Sequence, residues 1–165
     1  MSTPILIDSL SFARDRQSRS GRIALAKLAR VVEELAATDG ELVWSLQGDI
    51  DTLSRPFLRL QIQTVLTLRC QRCLETMPFS LDVDSRITLF TSEARLESAC
   101  EMDESLDAIV ATEELNIEAL IEDEVLLALP IAPRHENCGN AALERSRAER
   151  PNPFAVLASL KRQPE

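Results

Sequence analysis

The stretch Leu68-Arg69-Cys70-Gln71-Arg72-Cys73-Leu74 constrains this chain more than any other. It sets two cysteines, two residues apart, where one alternating apolar run ends and the next begins. Before it, Leu58, Leu60, Ile62, Thr64, Leu66 and Leu68 fall on one face of a period-two pattern from Phe57 to Leu68. After it, Phe79, Leu81, Val83, Ile87 and Leu89 resume that pattern. Upstream, Leu42, Trp44 and Leu46 alternate with Val43, Ser45 and Gln47 until Gly48-Asp49. Successive side chains of a strand point to opposite faces, so these runs predict an antiparallel meander with one buried and one solvated face. The CxxC then lies at the tip between its second and third strands.

Two helices are expected to pack on this sheet. Leu25, Leu28, Val31, Val32 and Leu35 recur at helical spacing within Ala24 to Ala37, and Asp39-Gly40 stops the run. The span Asn116 to Leu129 gathers Ile117, Leu120, Ile121, Val125, Leu127 and Ala128 on one broad face. Glu124 falls inside that apolar arc. A carboxylate there needs a partner, so it is read as a structural anchor to backbone N–H groups or to Arg69, Arg72 or Arg134. Pro130 ends the helix, and Pro133 keeps the following residues extended. Residues 4–10 suit a strand or extended arm. Residues 91–108 show no period and read as an irregular connection containing the isolated Cys100, with a short strand at 108–111. The fold class is α+β, an antiparallel meander against two main helices. A single domain over 1–139 is followed by a charged linker and a short C-terminal helix within 140–165.

Charge is unevenly spread. The net charge is −9; residues 93–124 hold twelve acids and only Arg95 as a base, whereas residues 1–80 are nearly balanced. Such a chain is a poor general binder of nucleic acid, which needs local positive charge. Arg14, Arg16, Arg19 and Arg22, on a segment read as surface-laid, are the candidate RNA contacts; the bland alternative is a solvated loop. The acidic segment suits a basic ribosomal protein, or serves solubility alone. In the tail, Asn152-Pro153 is a helix start, and Phe154 and Leu157 with Lys161 and Arg162 are candidate partner contacts.

About 60 residues after the CxxC, His135-Glu136-Asn137-Cys138 supplies a second pair. Cys70, Cys73, His135 and Cys138 form a Cys₃His set of the kind that holds structural zinc, with no open position for catalysis. A metal-free thiol cluster and a thiol-redox module remain open, although the β-meander setting is not that of a thioredoxin-like CxxC. No phosphate loop or nucleophile elbow occurs, and a single His excludes most His-dependent triads. No apolar run approaches the roughly 20 residues of a membrane span, and the N-terminus lacks a signal pattern. A cytoplasmic binding or assembly factor, not an enzyme, is therefore expected, with neither a membrane nor a small molecule as partner.

Three blocks together resemble the large ribosomal RNA subunit accumulation protein family, the YceD-type proteins. They are Leu68 to Leu74, the span Ile121 to His135 with its EDEVLLALP core and Cys138, and the tail PNPFAVLASLKR from Pro151 to Arg162. The resemblance implies a non-enzymatic factor supporting accumulation of large-subunit rRNA, acting on a large-subunit precursor through rRNA or a ribosomal protein. It matches Cys70, Cys73 and Cys138 to the family's cysteines and places His135 where members carry His or Cys. It assigns no role to Glu122-Asp123-Glu124.

Overall fold

A computed structural model describes residues 5–136 and Cys138. The elements are β1 (Leu6–Ile7), α1 (Ser9–Arg14), β2 (Ser18–Ala24), a 3₁₀ turn (Leu25–Lys27), α2 (Ala29–Val32), β3 (Glu41–Ile50), β4 (Pro56–Arg69), β5 (Thr76–Phe90), α3 (Glu93–Met102), β6 (Ala108–Val110), β7 (Leu115–Asn116) and α4 (Ile117–Ala128). The main sheet has the order β2-β3-β4-β5-β6; its first four strands are antiparallel neighbours, and β6 runs parallel to β5. A separate two-stranded ladder joins β1 to β7. The architecture is α+β, as the alternating runs imply. The C-terminal helix expected after residue 140 lies outside the described residues.

The long hairpin β4–β5 is paired from Phe57↔Thr88 to Arg69↔Thr76. Leu58, Leu60, Ile62, Leu66 and Leu68 are buried on its inner face, as are Leu81, Val83, Ile87 and Leu89. They pack with Leu42, Trp44 and Leu46 of β3 and with Ile117, Leu120, Ile121 and Val125 of α4 in one core. Asn116 caps α4, its side-chain oxygen accepting from the N–H groups of Glu118 and Ala119. Leu129, next to Pro130, is extended at φ −68°, ψ 137°, so the helix stops at Ala128 as the proline requires. Leu127, assigned above to the apolar face, instead points outward and is 80% exposed.

Several expected elements differ. The helix over Ala24–Ala37 reduces to the 3₁₀ turn and the four-residue α2, because Ala24 is the last residue of β2 and the chain turns back towards the sheet. Leu25 N–H donates to Gly40 O, and Ala36 N–H donates to Thr67 O. Leu25, Leu28 and Val31 are buried nonetheless, so the spacing reported burial correctly and helix wrongly. The basic segment after Ser11 is laid on the surface, residues 14–20 being exposed, but it is not a loop: α1, capped by Asp8, buries Phe12 and Ala13, and β2 follows. Residues 91–108 are not irregular throughout, since α3 occupies Glu93–Met102. Two parallel neighbours need a crossover, and α3 supplies it between β5 and β6. Among the described residues no helix is long and apolar enough to cross a membrane.

Candidate metal centre

The CxxC sits where the ladder runs out. Beyond the last pair, Cys70 N–H donates to Glu75 O at 2.9 Å and Leu74 N–H to Cys70 O at 2.9 Å, closing a tight turn. Leu74 completes it at φ +65°, a left-handed conformation usually filled by glycine. The second half arrives because Pro133, held extended after α4, presents its carbonyl to Gln71 N–H at 2.8 Å. Arg72 adds a second tie, its Nη2 donating to Cys138 O at 3.2 Å.

Four ligand atoms thus meet. Cys70 Sγ lies 3.3 Å from Cys138 Sγ, and His135 Nδ1 lies 3.3 Å from Cys73 Sγ and 3.5 Å from Cys138 Sγ. All four fall within 4.8 Å of one another. A tetrahedral zinc ion with Zn–S bonds of about 2.3 Å would set its ligands roughly 3.5–4 Å apart, so the donor set and its spacing fit such an ion. Cys70 and Cys138 are buried; Cys73 is partly exposed.

The electrostatics prepare one thiolate. Burial pushes the Cys70 thiol up, but N–H groups of Cys73, His135 and Arg72 and the Cys138 thiol outweigh it and hold Cys70 at about 5. Cys138 is pushed up, first by burial and then by Cys70 and Cys73. One thiolate beside a thiol that resists ionisation is an arrangement that a divalent cation would relieve, because metal ligation requires deprotonated sulfur. Cys100 on α3 belongs to no such cluster among the described residues.

The acidic block of α4 has a divided role. Glu122 accepts from Arg30 N–H at 2.9 Å and from its Nε at 3.0 Å, and Asp123 takes Nη1 at 2.6 Å. Arg30 Nη2 also donates to Ala119 O at 2.9 Å. Glu122 and Asp123 therefore tie α4 to α2. Glu124 turns inward, 9% exposed, and its partner is the hydroxyl of Ser85 on β5, not Arg69, Arg72, Arg134 or a backbone N–H.

The four N-terminal arginines do not share one surface. Arg14 ends α1, and Arg16, at φ +50° in the following turn, pairs with Asp49 at 3.0 Å. Arg19 pairs in register with Leu46 and Arg22 with Val43, so the two project from opposite faces of β2. Phe154, Leu157, Lys161 and Arg162 lie outside the described residues.

A family model described as "Large ribosomal RNA subunit accumulation protein YceD" matches residues 58–161, a span that includes nearly all of the long hairpin and the four candidate ligand residues. A protein of Haemophilus influenzae that carries the same name is 29% identical over 171 aligned residues, covering 97% of each chain. No solved structure matches.

Proposed function

The chain belongs to the family of the large ribosomal RNA subunit accumulation protein YceD, and on that premise we propose that it is a non-enzymatic factor in the biogenesis of the large ribosomal subunit. It supports accumulation of large-subunit rRNA by binding a precursor particle, through rRNA or a basic ribosomal protein, in the cytoplasm. The observation that carries this reading is the end-to-end likeness to the Haemophilus influenzae protein, 97% of each chain. The site geometry supports the non-enzymatic part. An ion held by all four donors would have no coordination position left for a substrate. Phosphate contacts fall to the N-terminal arginines Arg14, Arg16, Arg19 and Arg22 as separate points on more than one face, since Arg16 is paired with Asp49 and Arg19 and Arg22 project from opposite faces of β2. A basic partner protein falls to the acids of the stretch from Glu93 to Glu124 other than Glu122, Asp123 and Glu124, which are engaged within the fold. Further partner contact falls to Phe154, Leu157, Lys161 and Arg162 of the tail.

In this reading the Cys₃His centre holds a structural zinc ion. Cys70, Cys73 and Cys138 supply thiolates and His135 a neutral imidazole Nδ1. Bound there, the ion contributes charge neutralisation and a cross-link, and no reaction step. A thiol-redox module is the second reading, favoured by the low Cys70 thiol and its 3.3 Å approach to Cys138. Sucrose-gradient sedimentation of the protein at its native cellular level tests the main reading. Co-sedimentation with large-subunit precursors is expected; exclusive recovery in the free-protein fractions would reject it.

A further inference from the structure

A groove of about 710 Å³ opens where α1, the start of β4, the end of β5 and α3 meet. Its lining is unusual for this chain. The protein has 27 acids against 18 lysines and arginines, and yet the groove is lined by Arg14, Arg55 and Arg95 with no Asp or Glu. These arginines are about 40 residues apart in sequence and come together only because α3 folds back over the end of β5. Arg55 is bonded to Asp51 at 2.8 Å, which also takes Arg86 at 3.3 Å, and Asp103 acts on Arg55 as well. Arg55 is therefore largely neutralised, and the positive charge of the groove rests chiefly on Arg14 and Arg95. Between the arginines the lining is mostly apolar, with the half-buried Phe90 and Met102, which is 90% exposed.

We propose that this groove binds single-stranded RNA, the Arg14 and Arg95 guanidinium groups meeting phosphates while a base rests on Phe90 and Met102. The choice of RNA over an acidic peptide rests on the rRNA reading above; the groove's need for an anion with an apolar or flat portion does not. Its size is that of a site for a small ligand, a few hundred Å³, far too small for a duplex. That selects unpaired nucleotides, whose bases are free to stack on side chains. A second groove, on the outer face of the sheet, also has two arginines but makes a poorer anion site. There Arg59 is paired with Asp84, Arg86 lies 4.1 Å over the Phe57 ring, and Asp49 and Asp84 line the walls.

The test is titration of a short fluorescein-labelled oligouridylate with the full chain over a range of salt concentrations. Arg14→Ala with Arg95→Ala should weaken binding at least about tenfold and lower the log–log salt slope by about 1.4, the value for two phosphate contacts on a single strand. Because α3 buries none of its residues, Arg95→Glu alone is a second variant that leaves the core intact, and it should also weaken binding. Arg69→Ala, on the far end of β4, should leave affinity unchanged. A thiouridine-substituted strand should cross-link to the peptides carrying Phe90 or Met102. Unchanged affinity in both arginine variants, or cross-links confined to other elements, would overturn the groove. So would arginine-dependent binding of an acidic, leucine-rich peptide where RNA does not bind. A chain that fails these tests and yet sediments with precursors loses the groove and keeps the assembly reading. Groove-dependent RNA binding without sedimentation supports the groove and rejects that reading.

Discussion

Leu74 and Glu124 each occupy a place that their side chains do not favour, and each yields a prediction. Leu74 holds the left-handed conformation that closes the cysteine turn, with its side chain 63% exposed. It therefore forfeits little by losing that side chain. Leu74→Gly should relieve the strain and stabilise the fold by about 1 kcal/mol in chemical denaturation, partly offset by the freer unfolded chain. Burial pushes the Glu124 carboxyl above its ordinary value of 4.5, with Asp107 and Asp123 adding to the effect and the Ser85 bond opposing it. A raised acid holds its proton in the folded state after the unfolded chain has released it. Stability is then lost as the pH rises from about the ordinary value through the folded one. Glu124→Gln removes that loss, so the variant should gain on the native protein as the pH is raised from acid to neutral, and the two curves should draw together again in acid. A gap that is constant with pH would show that Glu124 is not raised. The helical wheel singled out Glu124 correctly. Its partner Ser85, 39 residues away on another element, was not legible, because nothing local pairs a strand serine with a helix glutamate.

Among elements, the strands were the legible part, because each presents one face to the core and the other to water. The short helices were not. The six-residue α1 shows too little of a period, and α3 buries nothing, so neither leaves an apolar stripe to read. What positions α1 is a strand residue. A Cβ built on Gly48 of β3 would lie 2.5 Å from Phe12 O and 2.6 Å from Ala13 Cα, and Gly48 N–H donates to Gln17 O at 2.9 Å. The helix backbone thus rests directly on the sheet. Gly48→Ala should push α1 away and cost about 1–3 kcal/mol by denaturant titration. A neutral result would mean that α1 can slide without loss. Sequence alone reads Gly48 as a strand end; its real role depends on a helix whose own signal is weak.

For the whole molecule, Cys70, Cys73, His135 and Cys138 form a clasp between the tip of the β4–β5 hairpin and the segment leaving α4. The two halves were visible in the sequence as CxxC and HxxC, but their meeting depends on the Pro133 carbonyl and on Arg72, which no spacing rule marks. The arginines behave in the opposite way. Four close in sequence are dispersed by the fold, while three that are distant line one groove. If the clasp holds zinc, protein purified without a histidine tag should contain about one zinc per chain. Stripping the metal or making Cys73→Ser should each lower the melting temperature by roughly 5 °C or more, and the two effects should not add. Metal-free protein as stable as the variant-free chain in zinc would remove the ion. The clasp fixes the tip of the sheet to the end of α4, and the surfaces so held are the ones proposed above to contact the large ribosomal subunit. The most direct measurement of that contact is cross-linking in living cells followed by identification of what is attached. Large-subunit rRNA segments or a large-subunit ribosomal protein are the expected products, whereas cross-links to neither would contradict the proposal.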